Sequence, residues 1–418
     1  MNKKQLKDEV TAELITHLIP FWKSMRDTDY GGFYGLLDYD LHLDKKAEKG
    51  CICNSRILWF FSNAAAVVQD TELLDYAAHA FKFLKNNCLD TVNGGVFWSV
   101  NYDGSVKDST KHTYNQAFAV YALSSYAEVS GNAEALSLAF DLFEMIESRM
   151  RDDIGYLEAF TEGFIPVRNE KLSENGVLAE KTMNTFLHVF ESYSELYRVC
   201  RNMTLDERGS NIREQCRTRL LLMLHQFADK IWNPEKCRQE VFFDRELNSI
   251  LDLHSYGHDI ETSWLIDRGV EIIGDTSVES VINPITSALA AEIYKTAYRD
   301  HSLLNECDRG NVNTLRIWWV QAEAVLGFFN AAEKISLRAA ASEGKLSETL
   351  CSLSEKYLHA VYDIWDYIKK HIIDNREHSE WFWCADANGD PVHKPIAEPW
   401  KCPYHNGRMC MELIKNIR

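Results

Sequence analysis

Three short glycine- and aromatic-rich stretches set the limits on how this chain can fold. They read Asp29-Tyr-Gly-Gly-Phe-Tyr-Gly, Asn93-Gly-Gly-Val-Phe-Trp-Ser and Asp153-Ile-Gly-Tyr-Leu-Glu, and they return at intervals of roughly 60 residues. A further piece, Glu380-Trp-Phe-Trp-Cys, is followed by Asp386-Ala-Asn-Gly-Asp. Between them run segments with helical apolar periodicity, among them Leu6–Trp22, Ser55–Val68, Met183–Cys200, Ile260–Ile273, Leu315–Ala332 and Leu346–His371. The interval is about the length of two helices plus a β-turn hairpin. A recurring helix pair implies stacked or circular helical architecture. Six such units would fill the chain, which predicts an all-α fold: an (α/α)6 barrel with short β-hairpins in the connecting loops. Inner-helix N-termini and the adjoining loops would then line one central pocket. No linker or low-complexity stretch divides the sequence, so residues 1–418 are read as a single catalytic domain.

Composition narrows the partners. The chain has 418 residues, 46% of them hydrophobic, which is ample for a large core. Only 20 glycines and 8 prolines are present, in keeping with long helices. The net charge of −17 argues against nucleic acid or an anionic membrane surface, because phosphate binding needs a basic face. No apolar run approaches the roughly 20 residues of a membrane span, and the N-terminus lacks the apolar core of a signal peptide. The 11 cysteines are scattered, and Cys51-x-Cys53 has no second pair at zinc-site spacing. Reduced core cysteines in a cytoplasmic protein are expected. Glycine-rich phosphate loops are absent.

Several helix-opening stretches carry chemistry. In Gly257-His-Asp-Ile-Glu-Thr-Ser-Trp-Leu265, a helix starting after the glycine puts His258, Glu261 and Trp264 within an arc of roughly 120°. A titratable base, a carboxylate and a flat ring on one face suit sugar binding with proton transfer. A buried histidine satisfied by a glutamate beside a core tryptophan is the alternative. Arg56 falls in the first turn of a helix capped by Asn54 or Ser55 and precedes Ile-Leu-Trp-Phe-Phe, so it is either a buried ion-pair member or an oxyanion site. Tyr114 opens another apolar helix. Asn184 and His188 stand one helical turn apart. Trp319 and Glu323 share an i, i+4 face, an aromatic platform beside a carboxylate. Pro403 places His405 at the entrance of the last helix, five residues after Trp400.

These motifs together carry a resemblance. Asn54-Ser-Arg-Ile-Leu-Trp59, His112-Thr-Tyr-Asn-Gln-Ala-Phe118, Tyr256-Gly-His-Asp-Ile-Glu261, Trp318-Trp-Val-Gln-Ala-Glu-Ala324 and Trp400-Lys-Cys-Pro-Tyr-His-Asn-Gly-Arg-Met409 resemble the N-acylglucosamine 2-epimerase superfamily nearly end to end. His-Asp-Ile-Glu and Gln-Ala-Glu are similar to its cellobiose-acting branch. His378-Ser379-Glu380 departs from the glycine expected before Glu380, with a reshaped pocket rim as the expected consequence.

The resemblance implies reversible epimerisation at carbon 2 of the reducing-end glucose of β-1,4-linked disaccharides, with no cofactor and no metal. It implies His258 and His405 as the two acid/base groups, with Glu261 polarising His258. Arg56 would stabilise an enediolate, and His188 and Asn184 would lie near the anomeric and ring oxygens. Trp319, Glu323 and Tyr114 would hold the reacting sugar. Trp264 would be a pocket wall, and Trp400 would meet the second sugar. A monomer is expected. The rivals are a mannose isomerase or N-acylglucosamine epimerase, an (α/α)6 glycoside hydrolase misread from Glu261 and Glu323, and a non-catalytic binding module.

Overall fold

A computed structural model describes residues 1–171 and 176–417. Helix α1 (Lys3–Glu13) runs through a π-helical turn into α2 (Ile19–Ser24). There follow α3 (Cys51–Val68), α4 (Leu73–Phe83), α5 (Thr113–Ser130), α6 (Ala133–Arg149), α7 (Met183–Asn202) and α8 (Glu207–Gln226). The chain continues with α9 (Tyr256–Ile273), α10 (Thr276–Thr296), α11 (Trp318–Ala340), α12 (Gly344–Tyr367) and α13 (His405–Asn416).

Two kinds of helix alternate, and the sequence explains why. In α5 every residue from Thr113 to Ala127 is buried. In α8 only a stripe is buried: Gly209, Ile212, Cys216, Leu220, Met223 and Leu224. An all-round apolar helix belongs inside, and a striped one lies on its surface. Helices α3, α5, α7, α9, α11 and α13 each pack on the next, and α13 packs back on α3, closing an inner ring. Helices α4, α6, α8, α10 and α12 each pack outside the inner helix before them, and α1 covers α13. This is an (α/α)6 barrel. At one end α5 and α9 stop on the left-handed residues Gly131 and Gly274, and the chain turns at once into the outer partner.

At the other end, a two- or three-residue strand precedes most inner helices and pairs with a strand of the next hairpin. Lys49–Gly50 pairs with Ser99–Val100, Lys111–His112 with Ala159–Phe160, Lys181–Thr182 with Phe242–Phe243, and Arg316–Ile317 with Cys384–Ala385. Buried ion pairs fasten these hairpins. Lys49 Nζ donates to Asp27 Oδ2 at 2.5 Å and to the Gly31 carbonyl at 2.8 Å, while Asp27 Oδ1 accepts the Asp29 and Tyr30 amides. The pattern recurs with Lys111 on Asp90 at 2.6 Å and Lys181 on Asp152 at 2.8 Å. Lys401 on Glu380, at 2.6 Å, fastens the loop before α13.

Three expectations need correction. Helix α3 starts at Cys51 behind Gly50, so neither Asn54 nor Ser55 caps it, and Arg56 sits in its second turn. Asn54 instead accepts the Phe33 amide at 3.0 Å and anchors the first hairpin. Helix α3 is also long and apolar enough to cross a membrane by length and composition, but most of it is buried in the inner ring. His378 has φ +64° and is exposed, away from the cavity; Glu380 beside it is a buried acceptor for Trp22, Lys401 and Asn406. The departure from glycine therefore falls on the support of α13 and leaves the pocket rim alone.

Candidate active site

A cavity of about 280 Å³ opens at the hairpin end of the barrel. Arg56, Tyr114, Asn184, His188, His258, Glu261, Trp319, Trp400 and His405 all line it. They come from all six inner helices and the loop before α13, mostly from first or second turns, where the barrel geometry points them inward. Gly257 matters here: a Cβ on it would lie 2.6 Å from Trp319 Cη2, so glycine alone lets that ring settle against α9. The Trp319 ring centre lies 4.8 Å from His258 and 5.4 Å from His405, so both candidate bases neighbour one aromatic platform. Trp400 borders Tyr114 and Trp98 at 6.3 and 5.3 Å.

Arg56 is buried and forms no ion pair with a carboxylate among the described residues. Its Nη2 donates to Tyr114 Oη at 2.6 Å, and its guanidinium lies over the rings of Phe118 and Tyr404 at 4.1 and 4.8 Å. Burial opposes its charge, but the neighbouring Tyr114, Cys402 and Tyr404 groups favour it, and burial notwithstanding the Cys402 thiol is drawn down to about 7 by Cys53 and Arg56. Among the described residues its Nε has no partner, and neither has Asn184 Oδ1. A cation held this way is a site for a developing oxyanion.

Three histidines are held differently. His405 Nδ1 donates to Glu323 Oε1 at 2.7 Å, and His188 Nδ1 donates to Glu191 Oε2 at 2.9 Å. Each pair leaves Nε2 as the working nitrogen. His258 Nδ1 is hydrogen-bonded to the Ser255 hydroxyl at 2.7 Å. Burial lowers all three pKa values: His258 to about 3, and His405 well below the usual range, with the Arg408 charge second. At neutral pH the three are bases.

The carboxylates overturn three assignments. Glu261 does not pair with His258; its Oε1 accepts Arg408 Nη2 at 2.5 Å and lies 3.9 Å from His405 Nδ1. A residue three positions on from His258 faces the barrel axis, where α13 supplies the nearest cation. Glu323 does not reach the cavity. It is fully buried, orients His405, and accepts Trp264 Nε1 at 2.9 Å. Trp264 accordingly lies behind the site as a support for Glu323 and forms no part of the pocket wall. The His-x-x-Glu spacing does make a pair, but at His188 and Glu191.

Sequence reasoning missed Glu191, Tyr404, Arg408, Ser255, Trp318 and Trp383. Glu191 carried the same signal as Glu261, three residues after a histidine. Trp383 and Trp318 line the cavity together at 4.7 Å, from a hairpin and from the helix it pairs with. For a metal, Glu261, Glu323 and His405 offer donor atoms within 4.8 Å of one another. Arg408 Nη2 already bonds to Oε1 of both glutamates, so a guanidinium holds the position a metal would take.

Over residues 31–407 the chain matches the family described as N-acylglucosamine 2-epimerase (GlcNAc 2-epimerase). It is 48% identical over 417 residues to a cellobiose 2-epimerase of Eubacterium cellulosolvens, covering 98% of this chain and 99% of that one. It is 46% identical over 407 residues to a cellobiose 2-epimerase of Ruminococcus albus, covering 97% of each. Among solved structures, the cellobiose 2-epimerase of Bacillus thermoamylovorans superposes with a TM-score of 0.89 at 41% identity, covering 99% of both chains.

Proposed function

The chain belongs to the N-acylglucosamine 2-epimerase family, and we propose that it works there as a cellobiose 2-epimerase. It is an isomerase of carbohydrates that converts the reducing-end glucose of a β-1,4-linked disaccharide to mannose and back. The observation that carries the reading is the cavity itself: a half-buried and a buried histidine beside one tryptophan ring, facing a buried arginine that no carboxylate among the described residues meets.

The chemistry follows from those groups. A pyranose has no acidic proton at carbon 2 until it opens. Opening needs a proton delivered to the ring oxygen and another removed from the anomeric hydroxyl; His188 and the histidines beside it make these transfers, and Asn184 hydrogen-bonds the oxygens it lies near. In the open aldehyde, one histidine takes the carbon-2 proton and leaves an enediolate. Arg56, always charged, offsets that oxyanion. The second histidine, on the other face, first takes up a proton from solvent, then delivers it to carbon 2 and inverts the centre. His258 and His405 fill these two roles. Trp319 covers the C–H face of the reacting sugar, Tyr114 lies beside it, and Trp400 meets the second sugar. Glu323 acts through His405, and Glu261 contributes one oxygen to the cavity wall.

In this reading one catalytic domain spans the chain, which acts as a cytoplasmic monomer without cofactor or metal. The test is a proton spectrum of cellobiose after incubation. A mannose reducing end is expected. Free glucose would mean hydrolysis, and a fructose end would mean isomerisation.

A further inference from the structure

Arg408 lies one turn below His405 on α13 and does not line the cavity. Its guanidinium is bonded to carboxylates from three successive inner helices. Nη1 donates to Glu191 Oε1 at 2.6 Å, and Nη2 donates to Glu261 Oε1 at 2.5 Å and Glu323 Oε1 at 2.7 Å. Two of these carboxylates each hold a histidine by Nδ1: Glu191 holds His188 and Glu323 holds His405. Tyr404 completes the circuit by donating to Glu191 Oε2 at 2.5 Å.

We propose that Arg408 is a positioning residue that joins the His188–Glu191 and His405–Glu323 pairs into one charge network, so that a proton gained by one histidine is felt by the other. The inference rests on the epimerase reading and adds a group that touches no substrate. The geometry supports it: one guanidinium bridges both carboxylates that hold the histidines, so a change of charge on either pair acts on the other through it. Interacting sites of this kind titrate as a set rather than singly.

The charged and titratable groups around the network come from every inner helix. Arg56 faces it from α3, Tyr114 and Tyr121 from α5, His188, Glu191 and Glu195 from α7, and His258, Glu261 and Arg268 from α9. Glu323 faces it from α11, and Tyr404 and Glu412 from α13. Burial is the first force holding His188 and His405 neutral, and the Arg408 charge acts in the same direction on both. Removing that charge raises both histidine pKa values. Removing the Glu191 charge lowers both.

The test follows the histidine side chains by nitrogen-15 NMR titration, alongside the acid limb of kcat/KM for cellobiose. Arg408→Met should raise the titration points of His188 and His405 together by about one unit and move the acid limb up equally. Arg408→Lys keeps the charge but loses the fork, so the limb should stay in place while kcat falls about tenfold. Glu191→Gln should lower the His405 titration as well as that of His188, although Glu191 does not touch His405. If Arg408→Met fails to fold, the Glu191→Gln titration decides alone. A Glu191→Gln protein that shifts His188 and leaves His405 unmoved overturns the proposal, as does an Arg408→Met acid limb that coincides with the wild type. The titration needs no turnover, so a wild type inert toward cellobiose would sink the function while the histidine shifts still judged Arg408.

Discussion

Two buried arginines pack against one ring. The guanidiniums of Arg56 and Arg408 lie 4.8 and 4.2 Å from the centre of Tyr404, yet their surroundings are opposite. Arg408 is bonded to three carboxylates. Arg56 touches a phenol, a thiol and aromatic faces, and among the described residues no carboxylate reaches it. Burying a cation is costly unless a charge meets it in the folded state. For Arg408 that requirement is met within the protein, so it belongs with Lys49, Lys111 and Lys401, whose carboxylates fasten the hairpins. For Arg56 no carboxylate among the described residues meets it, and the residue lines the cavity. The lesson is that a buried cation is read by its partner: a carboxylate marks a brace, and the lack of one marks a place where negative charge arrives during reaction.

The sharpest way to break this comparison is to remove each cation. Arg56→Leu should lower kcat by about 10²–10³ and cost far less stability than stranding a carboxylate would, because its partners are a phenol and a thiol. Lys49→Met should do the reverse. It strands the Asp27 carboxylate, so chemical denaturation should report a loss of about 3–5 kcal/mol, while kcat of the folded fraction stays within about twofold of wild type. An Arg56→Leu protein that melts as early as Lys49→Met would erase the distinction.

A smaller effect belongs to Trp319. Half-buried, with Gly257 cleared for it, it serves the cavity more than the core. Trp319→Ala should raise KM for cellobiose by about tenfold, beyond any change in melting temperature. A protein that melts much earlier yet keeps its KM would make Trp319 a core residue. The smallest effect is no effect. Because Arg408 sits between Glu261 and Glu323, exhaustive chelation should leave the rate unchanged, and a loss restored by one divalent ion would contradict the assignment of Arg56 as the electrophile.

Much of this fold was legible in the sequence because its repeat shows where glycine is needed. Gly31, Gly32, Gly94 and Gly95 all have φ between +66° and +83°, so the first two hairpins announce themselves. Of the later hairpins, two still turn on Gly310 and Gly389, but others use Cys237, Asp300 and His301 at φ +49° to +60°, so the signature becomes irregular. The site was legible up to the helix face. Apolar periodicity shows which residues of one helix point inward, so Arg56, His188, His258, Trp319 and His405 could be picked out. It does not show what meets them across the barrel. Glu323 reaches His405 from α11 to α13, and Glu261 reaches Arg408 from α9 to α13, and neither pairing leaves a trace in local spacing. Local spacing alone therefore pairs Glu261 with its neighbour His258 and puts Trp264 on the wall.

The central claim is that His258 and His405 move a proton off one face of carbon 2 and onto the other beside Arg56. The most direct measurement is epimerisation of cellobiose in heavy water, reading the label at carbon 2 of the mannose-ended product by NMR and mass spectrometry. The wild type should place solvent deuterium there. His258→Asn and His405→Asn should each abolish net epimerisation, and any residual exchange should fall on opposite epimers in the two variants. Product carrying the original hydrogen at carbon 2, or either variant epimerising at close to the wild-type rate, would contradict the two-histidine enediolate account.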